Sequence, residues 1–140
     1  MPENQTEMQP VHKVVLDTNV LVSSLITING HPSDIIRLIG TRRILPCYNA
    51  EILNEYRRVL CYPKFAFTPY QVESLVNGIL ERGMLAETAK STIKMIDESD
   101  RKFYDLHKAA NATLITGNTK HFPKENTIMT PAAFMEYILH

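Results

Sequence analysis

A chain of 140 residues with 15 Lys and Arg against 15 Asp and Glu has the size of one domain with its own apolar core. Its formal net charge of zero excludes a bulk attraction to nucleic acid, so any polyanion must be met by a local patch. Two cysteines, Cys47 and Cys61, are too few for a disulfide scaffold and stand at no metal-ligating or redox spacing, which points to reduced thiols and the cytoplasm.

The first ten residues, MPENQTEMQP, are polar and lack the apolar core of a signal peptide. They are expected to form a flexible tail, followed by a single domain over residues 11–140. No apolar run reaches the ~20 residues of a membrane span, which predicts a soluble protein without a membrane partner.

Along the domain, the apolar run from Val14 ends on a carboxylate, Asp17, before Thr18 and Asn19 lead into Val20-Leu21-Val22. The run suits a parallel strand buried on both faces, and its carboxyl end is where open α/β sheets place ligands. Capping of the next helix is the plainer role for Asp17. His31–Gly40 reads as a helix with Ile35, Ile36 and Ile39 on one face and Gly40 suited to a left-handed cap. Ile44–Tyr48 reads as a strand, placed near a sheet edge by Pro46. Asn49 then caps a helix to residue 60, with Ile52, Leu53, Tyr56, Val59 and Leu60 as its stripe. Thr68-Pro-Tyr-Gln71 has the form of a capping box, opening a helix with Val72, Leu75, Val76, Ile79 and Leu80 inward. Residues 92–96 are expected as a strand, 100–110 as a helix, 112–116 and 126–129 as strands, and Pro131–Leu139 as a helix opened by Thr130. The alternation predicts a parallel sheet with helices on both faces.

Three further polar positions share the setting of Asp17. Glu55 lies at the margin of its helix's apolar stripe, where a boundary glutamate pairing with Arg58 is the ordinary reading. In Asp97-Glu-Ser-Asp100 two aspartates meet a helix start, where the dipole favours an anion. In Thr116-Gly117-Asn118 the glycine permits a tight turn and Asn118 occupies a strand end. Carboxylates gathered at one sheet edge repel and raise each other's pKa. A hard divalent cation, Mg²⁺ or Mn²⁺, removes that conflict and can activate water against a phosphodiester. Thr18 and Asn19 would then support Asp17 by hydrogen bonds.

Taken in order, VVLDTNVLVSSL, AEILNEYRRVL, YPKF, DESDRKF, NATLITGNTKHF and TPAAF resemble the PIN-domain ribonucleases, and within them the VapC-like toxin components of toxin-antitoxin systems. The resemblance spans residues 14–139. It implies a PIN-like three-layer α/β/α sandwich with a central, mainly parallel sheet, and an acidic pocket that binds Mg²⁺ or Mn²⁺ and hydrolyses single-stranded RNA. It aligns Asp17, Glu55 and Asp100 with the family's catalytic, metal-binding acids. The fourth acidic position falls on Asn118, which can ligate through its carbonyl oxygen but lacks the charge. Asp97 and Thr116 are supporting candidates, with Asp97 a possible compensation for the missing acid. The resemblance also implies an antitoxin protein partner and a homodimer.

Arg57, Arg58, Lys102, Lys120 and His121 are the basic groups nearest the expected pocket and would grip RNA phosphates without reading sequence. Tyr48 and Phe122 could stack on bases, although core packing is the commoner fate of such aromatics. Two rivals compete with the nuclease. A phosphatase or phosphorelay domain would use Asp17 as covalent nucleophile, but Asn19 stands where the haloacid dehalogenase group has the second Asp that acts as acid and base. A catalytically weakened PIN-like module, binding RNA or protein, is the alternative that Asn118 keeps open.

Overall fold

Val14, Val15 and Leu16 are each fully buried, and because successive strand residues face opposite ways, both faces of this strand must be covered. The structure is a computed structural model and describes residues 11–139. The tail expected over residues 1–10 lies outside the described residues. Five strands, β1 (His12–Leu16), β2 (Ile44–Tyr48), β3 (Met84–Leu85), β4 (Thr113–Ile115) and β5 (Ile128–Met129), form one parallel sheet in the order β3-β2-β1-β4-β5. Six α-helices make the connections and the final segment: α1 (Thr18–Ile26), α2 (His31–Gly40), α3 (Ala50–Leu60), α4 (Pro69–Arg82), α5 (Arg101–Ala110) and α6 (Pro131–Leu139). Helix α5 lies over β1, β2 and β4, while α2 and α4 pack on β2 and on each other. The result is the expected three-layer α/β/α sandwich.

The chain builds outward from β1 to β2 and β3, then crosses to the other side for β4 and β5. The direction of winding therefore reverses between β1 and β4, the position where open α/β sheets leave a crevice. The register sets Leu16 beside Ile115, so the next residues, Asp17 and Thr116, leave the sheet side by side. The amide of Asp17 still donates to the carbonyl of Ile115 at 2.9 Å, which fixes the backbone beneath the site.

Local chemistry explains the helices that flank this edge. Asn49 Oδ1 accepts from the amide of Ile52 at 2.9 Å, starting α3 immediately after β2. The Tyr56 hydroxyl, on the buried stripe of α3, donates to the carbonyl of Leu16 at 2.6 Å. One side-chain bond thus ties α3 to the last residue of β1. The capping box of α4 is complete: Gln71 N donates to Thr68 Oγ1 at 3.1 Å and Thr68 N to Gln71 Oε1 at 2.8 Å.

Four local expectations are corrected. Residues 92–96 form no strand; Ile93 and Met95 pack on the core, but the ladder beside β2 is taken by Met84–Leu85, opposite Cys47 and Tyr48. Strand β2 is consequently internal, and Pro46 is tolerated because the β3 ladder begins one residue after it. Gly40 adopts no left-handed conformation; the positive φ after α2 belongs to Arg42, at 63°. Gly117 likewise has no positive φ, so its turn needs no glycine-specific backbone.

Candidate active site

Asp17 occupies the N-cap position of α1, yet its side chain makes no capping hydrogen bond. Its Oδ2 instead accepts from Thr116 Oγ1 at 2.7 Å, across the β1–β4 crevice. The same hydroxyl receives the amide of Asn118 at 3.0 Å, and Asn19 Oδ1 receives the amide of Gly117 at 3.1 Å. The loop after β4 is therefore locked to the start of α1. Asp17 is 8% exposed, and burial pushes its carboxyl above the usual range, opposed by the Thr116 bond and reinforced by the charge of Glu55.

Glu55 projects from α3 into the same edge with 13% of its side chain exposed. Both of its oxygens are engaged. Thr18 Oγ1 donates to Oε2 at 2.6 Å; Lys102 Nζ sits 2.6 Å from Oε1, and the exposed Arg58 is 3.8 Å away. The boundary pairing with Arg58 thus exists, but it is the weakest of the three contacts.

Asp100 ends a 3₁₀ turn, Glu98–Asp100, just before α5, and its side chain does not cap that helix. Its Oδ2 is buried and has no hydrogen-bond partner; His121 Nδ1 lies 3.7 Å away. Burial, then the charges of Asp17 and Asp97, push the Asp100 carboxyl from an ordinary 3.8 to about 6. That electrostatic coupling brings Asp17, Glu55 and Asp100 into one field. Asp97 is exposed and turned to its own loop, accepting from Ser99 N at 3.0 Å and Ser99 Oγ at 2.8 Å. These bonds hold its carboxyl below the usual range, so Asp97 acts on Asp100 through its charge.

Asn118 is half-buried, with its amide nitrogen 3.0 Å from His121 Nε2. The basic groups divide into two kinds. Arg58, Lys120 and His121 are exposed and Arg57 is half-buried, whereas Lys102 is held inside against Glu55 and is not a free surface grip. Tyr48 is half-buried, its hydroxyl near the carbonyl of Leu80 at 3.4 Å, and Phe122 is buried in the core. Phe122 therefore packs in the core and is not free to stack on a base. The Tyr56 tether was invisible in the sequence beyond its place in an apolar stripe, because nothing in a helical pattern marks the acceptor of a hydroxyl.

The donor set has the chemistry of a hard-cation site: a buried carboxylate oxygen without a partner, a second buried carboxylate beside it, and hydroxyls to orient both. Among the described residues no group of three His, Cys, Asp or Glu side chains is preassembled around a metal position. The oxygens of Glu55 already face a hydroxyl and an ammonium.

The sequence matches the family model for the PIN domain over residues 13–120. It is 28% identical over 109 residues to the uncharacterised protein MJ1680 of Methanocaldococcus jannaschii, covering 76% of this chain and 70% of that one. The fold is similar to the crystal structure of VapBC2 from Rickettsia felis bound to a DNA fragment from its promoter, with a TM-score of 0.57 and 20% identity, over 84% of this chain and 96% of that one. A family match that runs from β1 through the loop carrying Asn118 contains every residue of the acidic edge, and the chain belongs to the PIN domain family.

Proposed function

We propose that the protein is a Mg²⁺- or Mn²⁺-dependent endoribonuclease that hydrolyses phosphodiester bonds of single-stranded RNA, and that it is the toxin of a toxin-antitoxin pair. The observation that carries this reading is the unpartnered, buried Oδ2 of Asp100 in the field of Asp17 at the β1–β4 crevice. Membership in the PIN family and the fold shared with the Rickettsia felis VapBC2 complex support it. An antitoxin protein and a second copy of the chain are the partners it implies, and the cytoplasm its location. Among the described residues no helix is long and apolar enough to cross a membrane.

Asp17 and Asp100 would hold the cation, with Asn118 offering a neutral oxygen. Bound there, the ion would lower the pKa of water and neutralise charge on a scissile phosphate. The chain's own part is positional. Thr116 fixes the Asp17 carboxylate by its hydroxyl. Glu55 orients Thr18 and holds Lys102. Arg57, Arg58 and Lys120 would meet the RNA backbone by charge and thus without sequence preference.

Asn118 favours a second reading, a weakened PIN-like module that binds RNA or protein without cutting it. The test is incubation of the purified protein with a single-stranded RNA of mixed sequence and the matching DNA, in Mn²⁺ and in EDTA. RNA cleavage in Mn²⁺ that EDTA abolishes supports the nuclease. RNA binding without cleavage under saturating Mn²⁺ supports the module instead, and cleavage of the DNA alone refutes the assigned substrate.

A further inference from the structure

Lys102 stands in the first turn of α5, where the helix dipole disfavours a cation. A lysine there ordinarily extends into water and keeps its rotamer freedom. This one does neither. Only 10% of its side chain is exposed, and its Nζ lies 2.6 Å from Glu55 Oε1. The same ammonium donates to the carbonyl of Ser99 and stands 5.3 Å from the centroid of the Phe103 ring. Three separate elements, α3, the 3₁₀ turn and α5, thus converge on one buried positive charge at the acidic edge.

Resting on the reading of this edge as a divalent-cation site, we propose that Lys102 replaces a second metal ion, so that the protein binds one divalent cation per chain. Three carboxylates, Asp17, Glu55 and Asp100, bring three negative charges, and Lys102 returns one, while the exposed charges of Asp97 and Arg58, one of each sign, offset each other at the rim. The two that remain are neutralised by a single divalent ion. Asn118 completes the argument, because the position that would add a fourth negative charge carries an amide turned toward His121. A second divalent ion would have to displace the ammonium from Glu55 and would leave the edge with excess positive charge. Glu55 accordingly serves as the partner of Lys102 and Thr18, and the cation is held by Asp17 and Asp100.

The test counts Mn²⁺ directly. Titration of the full chain at pH 7.5, followed by isothermal calorimetry and by the electron paramagnetic resonance signal of free Mn²⁺, is expected to give one equivalent for the unaltered protein. Lys102→Met frees Glu55 and is expected to bind its first Mn²⁺ about tenfold more tightly or better. Lys102→Met combined with Asn118→Asp is expected to bind two equivalents, while Lys102→Arg keeps one. Two equivalents in the unaltered protein overturn the inference and leave the metal site standing. No Mn²⁺ bound by folded, unaltered protein overturns the reading beneath it. A count of one in the folded double variant also overturns the role given to Lys102. The count on the unaltered protein decides the proposal even where a Lys102 variant fails to fold.

Discussion

Asp100→Asn should make the metal-free protein more stable at neutral pH while removing its function. In the folded chain the Asp100 carboxyl keeps its proton up to about pH 6, against an ordinary value of 3.8. Between those values the folded state holds a proton that the unfolded state has released, so this group's contribution to stability falls as pH rises through the window and is fully lost above it. A difference of about 2 pKa units corresponds to at most about 3 kcal/mol. Because 15% of the side chain is exposed, solvent screening reduces this to about 1–2 kcal/mol. Thermal unfolding of both proteins in EDTA is expected to show Asp100→Asn melting about 3–6 °C higher at pH 7.5, with the two curves converging near pH 4. Asp17 is present in both proteins, so the difference reads the burial of Asp100 together with its repulsion from Asp17. Addition of Mn²⁺ should then raise the melting temperature of the unaltered protein more than that of the variant. An Asp100→Asn protein that melts at or below the unaltered protein at pH 7.5 would refute the reasoning, since it would mean that the His121 contact outweighs burial and repulsion.

Three further outcomes are expected. Tyr56→Phe keeps the ring packed against Phe103 but removes the donor to the Leu16 carbonyl; urea unfolding should show a loss of about 1–2 kcal/mol, and an unchanged midpoint would mean that water or another donor serves that carbonyl. Gly83→Ala would set a Cβ 2.4 Å from the Pro46 carbonyl oxygen and 2.5 Å from that of Ile79. Because both obstacles are backbone atoms, the variant should lose about 2–4 kcal/mol, and a melting temperature equal to that of the unaltered protein would contradict the geometry. Thr116→Val removes the bond to Asp17 Oδ2 at nearly constant volume; Mn²⁺ affinity should fall by about tenfold, measured by the same calorimetry, whereas unchanged affinity would deny Thr116 its orienting role.

The parts of this protein that were legible in its sequence are those fixed by local chemistry. Asn49 and Thr68 announced their helices because a cap acts within one turn. Val14-Val15-Leu16 announced the central strand because both its faces are buried. Of the three acids, Asp17 stands out at the end of an apolar run and Glu55 at the margin of an apolar stripe, whereas Asp100 reads as an anion at a helix start and joins them only through the family resemblance. What stayed hidden depends on partners distant in sequence. The two-residue strand at Met84 has no periodicity to detect, while residues 92–96 alternate like a strand but find no neighbour to pair with. Lys102 read as a surface cation because spacing shows the face of a helix and not the glutamate on another helix that draws it inward. Asp97 and Asp100 both stand at a helix start in the sequence, where the resemblance alone ranks Asp100 first, and the fold shows what each one touches: Asp97 accepts from Ser99 at its own loop, and Asp100 is left with a buried oxygen unpaired.

A cation held between β1 and α5 is what would make the acidic edge a nuclease site. Anomalous diffraction from crystals soaked in Mn²⁺ is expected to show one Mn²⁺ per chain, bonded to an oxygen of Asp17 and to an oxygen of Asp100, with the Lys102 ammonium still on Glu55. Manganese bound elsewhere, or an acidic edge that stays free of it in crystals of protein that cleaves RNA, would rule that site out.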